Sequence, residues 1–174
     1  MIDFTKSQQY TLSIRLSTDG FSFSIYNPIH DNSLSTIEKE TDTSLSLTAN
    51  LKATFRESDF LNHSYKRVNI MMADKRFTIV PLELFEEEQA ELLFYHNHQK
   101  RENETVICNI LKKNNVAIIF GMDKSAHTFL SEQYPEAHFY SQSTPLIDYF
   151  SVKSRLGNSK KMYVSIHREA IDIY

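Results

Sequence analysis

The sequence predicts an α/β domain in which a mixed sheet built from hairpins carries helices. Two observations support this class. Alternating apolar and polar residues mark β-hairpins early in the chain, and segments with helical spacing of apolar residues separate further strand patterns. The element order reads ββ-α-ββ-α-ββ-α-β-α-ββ, which is typical of layered α/β domains.

The first hairpin, between Tyr10 and Tyr26, is the clearest element. Its Asp19-Gly20 dipeptide is typical of a two-residue type I′ turn, which would pair Leu16 with Phe23. The same register would pair Ile14 with Ile25. We expect one buried face and one polar face. The buried face comprises Leu12, Ile14, Leu16, Phe23 and Ile25, and the polar face comprises Ser13, Arg15, Ser17, Ser22, Ser24 and Tyr26.

A helix and a second hairpin follow. Leu47, Leu51 and Phe55 recur with helical spacing behind candidate caps at Ser44 or Ser46. Alternating residues on both sides of Asp74-Lys75 then predict a hairpin, which Pro81 ends. The alternating residues are Val68, Ile70, Met72, Phe77 and Ile79.

The next helix is predicted from about Glu83 to His96, with Phe85, Leu92 and Leu93 facing a core. From Thr105 to Phe120 both faces are apolar, which indicates two strands covered on both sides.

Three shorter elements complete this part of the chain. Asp123 is a candidate cap for a helix that stops before Pro135, and residues 138–140 suggest a short strand. Thr144 and Pro145 are predicted as the N-cap and first residue of another helix, ending at Gly157.

The last segment, Met162 to Tyr174, repeats the pattern of the opening hairpin in a form shortened by four residues. We interpret this as a duplication, so that residues 1–156 form a first domain and residues 161–174 begin a second. On that interpretation the polypeptide is expected to be incomplete. The alternative is an extra hairpin that completes one sheet. The repeated stretches are Leu12-Ser13-Ile14-Arg15 with Val164-Ser165-Ile166-His167, and Phe23-Ser24-Ile25-Tyr26 with Ile171-Asp172-Ile173-Tyr174.

Such a duplicated domain resembles the actin, sugar-kinase and Hsp70 superfamily. In more detail, the chain resembles an uncharacterised bacterial domain-of-unknown-function family with an actin-like ATPase (ribonuclease H-like) fold. The stretches that carry the resemblance are residues 13–22, 143–146 and 164–167. The resemblance implies that residues 1–156 are the first lobe and that residues 161–174 open the second.

The resemblance also implies a nucleotide site, but its usual residues are absent. In active members an acidic residue on the first strand organises Mg²⁺ and a glycine follows it; the equivalent positions here are Arg15 and Ser17. His167 stands at the second acidic position, and Asp19-Gly20 could substitute only if the motif slid by four residues. We therefore assign no catalytic residue and no metal site. Arg15, Ser17, Asp19, Gly20 and His167 remain the candidates for cofactor binding.

Other chemistry receives little support from the residues. His96 and His98 with Glu102 and Glu104 could offer metal ligands, but a polar loop is the simpler interpretation. Cys108 lies in the most apolar stretch, where a thiol is inert. Arg15 on the polar hairpin face could grip an anion, although a hydrated face is the simpler expectation.

Composition limits the function classes. The 174 residues carry 19 Lys and Arg against 22 Asp and Glu, a net charge of −3 that disfavours nucleic-acid binding. Three glycines disfavour a glycine-rich phosphate loop. One cysteine, no signal pattern and no membrane-length apolar run lead us to expect a cytoplasmic protein without a membrane partner.

We therefore expect a non-catalytic interaction or scaffold protein on a degenerate actin-like ATPase fold. It would need no cofactor and would bind an unidentified protein partner, with a homo-oligomer as one form of that contact. The alternative is an ATP-binding ATPase or kinase of the same superfamily, with ATP and Mg²⁺ as cofactors.

Overall fold

Three β-sheets organise the chain in a computed structural model that describes residues 2–17, 20–29, 33–155, 161–166 and 171–173, the side chains of 171 and 172 excepted. The strands are β1 (Thr11–Ser17), β2 (Gly20–Asn27), β3 (Ser33–Lys39), β4 (Arg67–Ala73), β5 (Phe77–Pro81), β6 (Glu104–Leu111), β7 (Val116–Asp123), β8 (His138–Ser141), β9 (Val164–Ile166) and β10 (Ile171–Ile173). The α-helices are α1 (Leu47–Glu57), α2 (Ala90–Asn97), α3 (Lys124–Gln133) and α4 (Ser143–Ser154).

The large sheet has the strand order β3-β2-β1-β4-β8. The strands β1, β2 and β3 are antiparallel neighbours, whereas β4 and β8 run parallel to β1. A three-stranded antiparallel sheet of order β5-β7-β6 lies beside it, and β9 and β10 form a two-stranded sheet. The predicted mixed sheet with hairpins is therefore confirmed.

The opening hairpin has the predicted faces, except that Ser17 is buried, and it has a different register. Leu12, Ile14 and Phe23 are fully buried, and the serines opposite them are half-buried. Leu16 pairs with Phe21 rather than Phe23, and Ile14 pairs with Phe23. The pairing is two residues away from the predicted one, so the side chains keep their faces.

Gly20 begins β2 as the partner of Ser17, and the prediction that it lies in the turn is wrong. Its φ is 147°, and an added Cβ would lie 2.8 Å from the carbonyl oxygen of Lys39. A glycine is needed here because it allows β3 to approach β2 closely. Asp19 lies outside the described residues.

The predicted second hairpin is wrong. The strand β4 lies between β1 and β8 in the large sheet, whereas β5 pairs with β7 in the three-stranded sheet. Alternation of Val68, Ile70 and Met72 specifies which face of β4 is buried, and it is the same for a parallel or an antiparallel partner. Pro81 ends β5 as expected.

Two of the three predicted helix caps are confirmed. The Ser46 side chain accepts a hydrogen bond from the Ala49 backbone N–H at 3.2 Å and begins α1. Asp123 accepts one from the Ala126 N–H at 2.8 Å and begins α3. The last helix, α4, begins at Ser143, so Thr144 is not its N-cap, and its predicted end at Gly157 lies outside the described residues.

The helix predicted from Glu83 begins later. Two short 3₁₀ turns, Leu82–Leu84 and Glu87–Gln89, precede α2. Phe94 is fully buried on α2, whereas Leu92 is exposed, so the prediction for Leu92 is wrong.

Two apolar cores stabilise these layers. The main core lies between the large sheet and helices α1 and α3, with Leu51 and Leu130 fully buried. A smaller core joins α2 to the three-stranded sheet through Val80, Phe94 and Ile119. The central strand β7 is buried on both faces as predicted, but the edge strand β6 is only half-buried.

The terminal hairpin forms outside the two larger sheets. Ile166 pairs with Ile171 and Val164 with Ile173, while the Tyr163 ring stacks on Phe150 of α4 at 4.5 Å. Residues 156–160, His167 and Tyr174 lie outside the described residues. The second lobe therefore stays a prediction. Within the described ranges, no helix is both long and apolar enough to cross a membrane.

Candidate functional site

The polar face of the large sheet lines an open groove of about 560 Å³. The sheet forms its floor, and α4 with the end of β6 forms its wall. The lining side chains come from β1, β2, β4, β6, β8 and α4. They are Ser13, Arg15, Ser22, Ser24, Arg67, Asn69, Met71, Leu111, Tyr140, Thr144, Pro145 and Asp148, and Ile14, whose side chain is buried in the main core on the other face, borders the groove only through its backbone.

Strand register explains this arrangement. Ser13 on β1 lies between Ser24 of β2 and Asn69 of β4. Arg15, two residues along β1, pairs with Met71. Because side chains two residues apart on a strand share a face, Arg67 lies on the same face as Asn69 and Met71. The floor therefore has a polar centre with an arginine towards each end.

Asn109 of β6 holds the wall of the groove against the sheet. Its side-chain oxygen accepts hydrogen bonds from the Ser141 N–H at 3.0 Å and the Thr144 hydroxyl at 2.7 Å. Its amide donates to the Phe139 carbonyl oxygen at 2.8 Å. One side chain thus connects β6 to the end of β8 and the start of α4.

Asn109→Ala should lower the free energy of unfolding by about 1–3 kcal/mol, because it leaves partly buried donors and acceptors unpaired. Urea denaturation of the wild-type protein and of the variant measures this loss of stability. Asn97→Ala is the matched control, since Asn97 is exposed and, within the described part of the chain, its side chain makes one long hydrogen bond, of 3.4 Å to the Thr78 hydroxyl. Equal losses in the two variants would show that Asn109 does not hold the wall.

Among the described residues, two arginines and one aspartate line the groove, and this lining favours anions over cations. Glu38 and Glu40 lie outside it, in the adjacent pocket that Arg15 also lines. Arg67 is exposed, and no carboxylate within the described residues pairs with it. Asp148 lies on α4, in the wall rather than the floor.

The candidate cofactor-binding residues named from the sequence do not all lie in the groove. Arg15 lines the groove, whereas Ser17, at the end of β1, is buried and does not line it. Gly20 meets Arg15 in a smaller adjacent pocket that also contains Glu38 and Glu40. Asp19 and His167 lie outside the described residues.

The sequence patterns did not identify the groove residues outside the opening hairpin, among them Arg67, Asn69, Tyr140 and Asp148. The alternation of Arg67, Asn69 and Met71 with apolar residues was a usable signal for a polar face on β4. The parallel pairing that brings this face beside Arg15 had no local signal.

The other candidate side chains, the possible metal ligands and the cysteine, have structural surroundings that explain them. A ring nitrogen of His98 lies 3.1 Å from the Phe77 carbonyl oxygen, and Glu104 binds Arg76. Among the described residues, no group of three or more His, Cys, Asp or Glu side chains is placed to hold a metal ion. Burial raises the pKa of the Cys108 thiol to about 11, so the thiol is protonated at neutral pH.

Comparison with known proteins identifies the family and the fold of this chain. Residues 1–174 match the family model described as Protein of unknown function (DUF3822). No curated protein matches the chain. A crystal structure from Bacteroides thetaiotaomicron VPI-5482, of a protein with actin-like ATPase fold and unknown function, is 79% identical, with a TM-score of 0.94. The match covers 100% of this chain and 68% of that one. The chain therefore has an actin-like ATPase fold and belongs to the family Protein of unknown function (DUF3822).

Proposed function

We propose that this protein is a non-catalytic, cytoplasmic interaction protein on a degenerate actin-like ATPase fold. The observation that carries the proposal is Arg15 on the first strand of the large sheet. Active members of the superfamily that the chain resembles have an acidic residue there to organise Mg²⁺. A guanidinium repels a divalent cation and offers it no oxygen ligand.

The surroundings of Arg15 strengthen this argument. The position two residues on, where active members have glycine, is Ser17, which is buried at the end of β1. Gly20 is used in packing β2 against β3, because its missing Cβ makes room for the Lys39 carbonyl oxygen. Ser17 and Gly20, the two positions at which the backbone could approach a nucleotide phosphate, therefore have roles in packing instead.

Exposed apolar side chains on α4 and the terminal hairpin support a contact with a protein partner. Large exposed apolar patches mark interaction surfaces more often than scattered single residues do. A second copy of the chain is one partner of suitable chemistry. The exposed side chains are Tyr149, Val152, Met162, Val164, Ile166 and Ile173.

Titration with ATP and Mg²⁺ tests the proposal. We expect a dissociation constant no tighter than about 1 mM, equivalent to roughly −4 kcal/mol, because the acidic metal partner and the glycine approach are missing. Isothermal calorimetry measures it. A micromolar constant that weakened in Asp19→Asn would instead establish the ATPase or kinase alternative and place its motif four residues further on.

A further inference from the structure

We propose that the groove on the polar face of the large sheet is a binding site for a small hydroxylated anion, a phosphorylated or carboxylated molecule held between Arg15 and Arg67. The inference rests on the proposed function, because it assigns the groove to a ligand that needs no metal.

The register places the two arginines towards opposite ends of one polar floor. Arg15 pairs with Met71, and Arg67 precedes Met71 by four residues on the neighbouring parallel strand. Four residues of strand span about 13 Å, which is wide enough for a small molecule between two long side chains. Both arginines line the same groove as Ser13 and Asn69, which occupy the floor between them.

The chemistry of the lining selects the ligand class. A guanidinium presents paired N–H donors that match a carboxylate or a phosphate. Hydroxyls of Ser13, Ser22 and Tyr140 and the amide of Asn69 offer neutral hydrogen bonds to ligand hydroxyl groups.

Asp148 determines the orientation of a bound ligand. It lies on α4, which forms the wall, whereas the arginines belong to the floor. A carboxylate repels the anionic end of a ligand and accepts hydrogen bonds from its hydroxyl groups. The anionic group is therefore held by the arginines on the sheet, and the ligand hydroxyl groups bond to the polar side chains of the floor and to Asp148.

The size of the groove fits a small molecule. Its volume of about 560 Å³ falls within the range of roughly 300–1,000 Å³ typical of small-molecule sites. Apolar side chains also contribute to the lining, as in most such sites. These are Met71, Leu111 and Pro145.

Two probes test the proposal and separate its two ligand sources. Glycerol 3-phosphate carries a phosphate with hydroxyls, and malate carries carboxylates with a hydroxyl. Each is titrated at low ionic strength with EDTA and no nucleotide, and binding is followed by amide shifts in NMR spectra. We expect at least one probe to bind with a dissociation constant below about 1 mM and to shift the Asn69 and Tyr140 amides.

Matched variants locate the binding. Arg67→Gln and Arg15→Gln should each weaken the better probe at least tenfold, whereas Arg101→Gln, outside the groove, should leave it unchanged. Arg15→Lys retains the charge and should weaken binding less than Arg15→Gln. Thermal unfolding of each variant verifies that it is folded.

The proposal is overturned if neither probe binds more tightly than about 1 mM, or if binding survives both glutamine substitutions. If only glycerol 3-phosphate binds, the ligand is a phosphorylated molecule. If only malate binds, it is a carboxylated one. Failure of the proposed function gives a different result, namely Mg²⁺-dependent ATP binding that depends on Asp19 and not on Arg67.

Discussion

Replacing Arg76 with methionine should lower the free energy of unfolding by about 3–5 kcal/mol, because Glu104 would remain buried without its partner. Arg76 donates from Nε to Glu104 Oε1 at 3.1 Å and from Nη2 to Oε2 at 2.9 Å. The side chains are only 11% and 6% exposed. Arg76 also donates to the Gln99 carbonyl oxygen at 2.8 Å and lies over the Phe94 ring.

Arg101→Met is the matched control for this experiment. Arg101 pairs with Asp74 at 3.9 Å, but its side chain is 61% exposed, so its loss should change stability by no more than about 0.5 kcal/mol. Urea denaturation at neutral pH measures both variants. The double variant Arg76→Met/Glu104→Met should recover much of the loss, because no buried charge then remains unpaired. Equal losses of unfolding free energy in Arg76→Met and Arg101→Met would contradict a buried ion pair between Arg76 and Glu104.

Gly121 of β7 belongs to the same arrangement. A Cβ at this position would overlap the Glu104 carboxylate and approach the Phe94 ring to 3.0 Å. The absence of a side chain therefore makes room for the ion pair. Because Arg76 directly precedes β5 and Glu104 begins β6, the pair connects the two outer strands of the three-stranded sheet.

Local patterns predicted the faces of strands and the starts of two helices, α1 and α3. Leu12, Ile14 and Phe23 are buried as their alternation indicated, and Ser46 and Asp123 cap the helices expected. These features depend on residues a few positions apart, so a single sequence contains them.

Strand partners could not be predicted in the same way. The alternation of β4 and β5 fits a hairpin, but the two strands belong to different sheets. Arg15 could be identified because its hairpin is local, whereas Arg67 reaches the groove through a parallel pairing between distant segments. Parallel strands need long connections, and the residues in those connections carry no mark of which strand they will join.

Helix α2 provides the sharpest test of the difference between pattern and packing. Phe94→Ala should lower the free energy of unfolding by about 3–5 kcal/mol, because it removes a fully buried ring from the smaller core. Leu92→Ala should change it by no more than about 0.5 kcal/mol, because Leu92 is 70% exposed.

The pair of variants distinguishes two orientations of α2. Residues two positions apart point to nearly opposite sides of a helix, so Leu92 and Phe94 cannot both face the core. The sequence pattern favoured Leu92 because it assumed a helix running from Glu83, whereas α2 begins at Ala90, which is itself buried. Denaturant unfolding of the two variants decides between them. A larger loss in Leu92→Ala than in Phe94→Ala would mean that α2 presents its other side to β7, and that Phe94 does not pack beside Arg76.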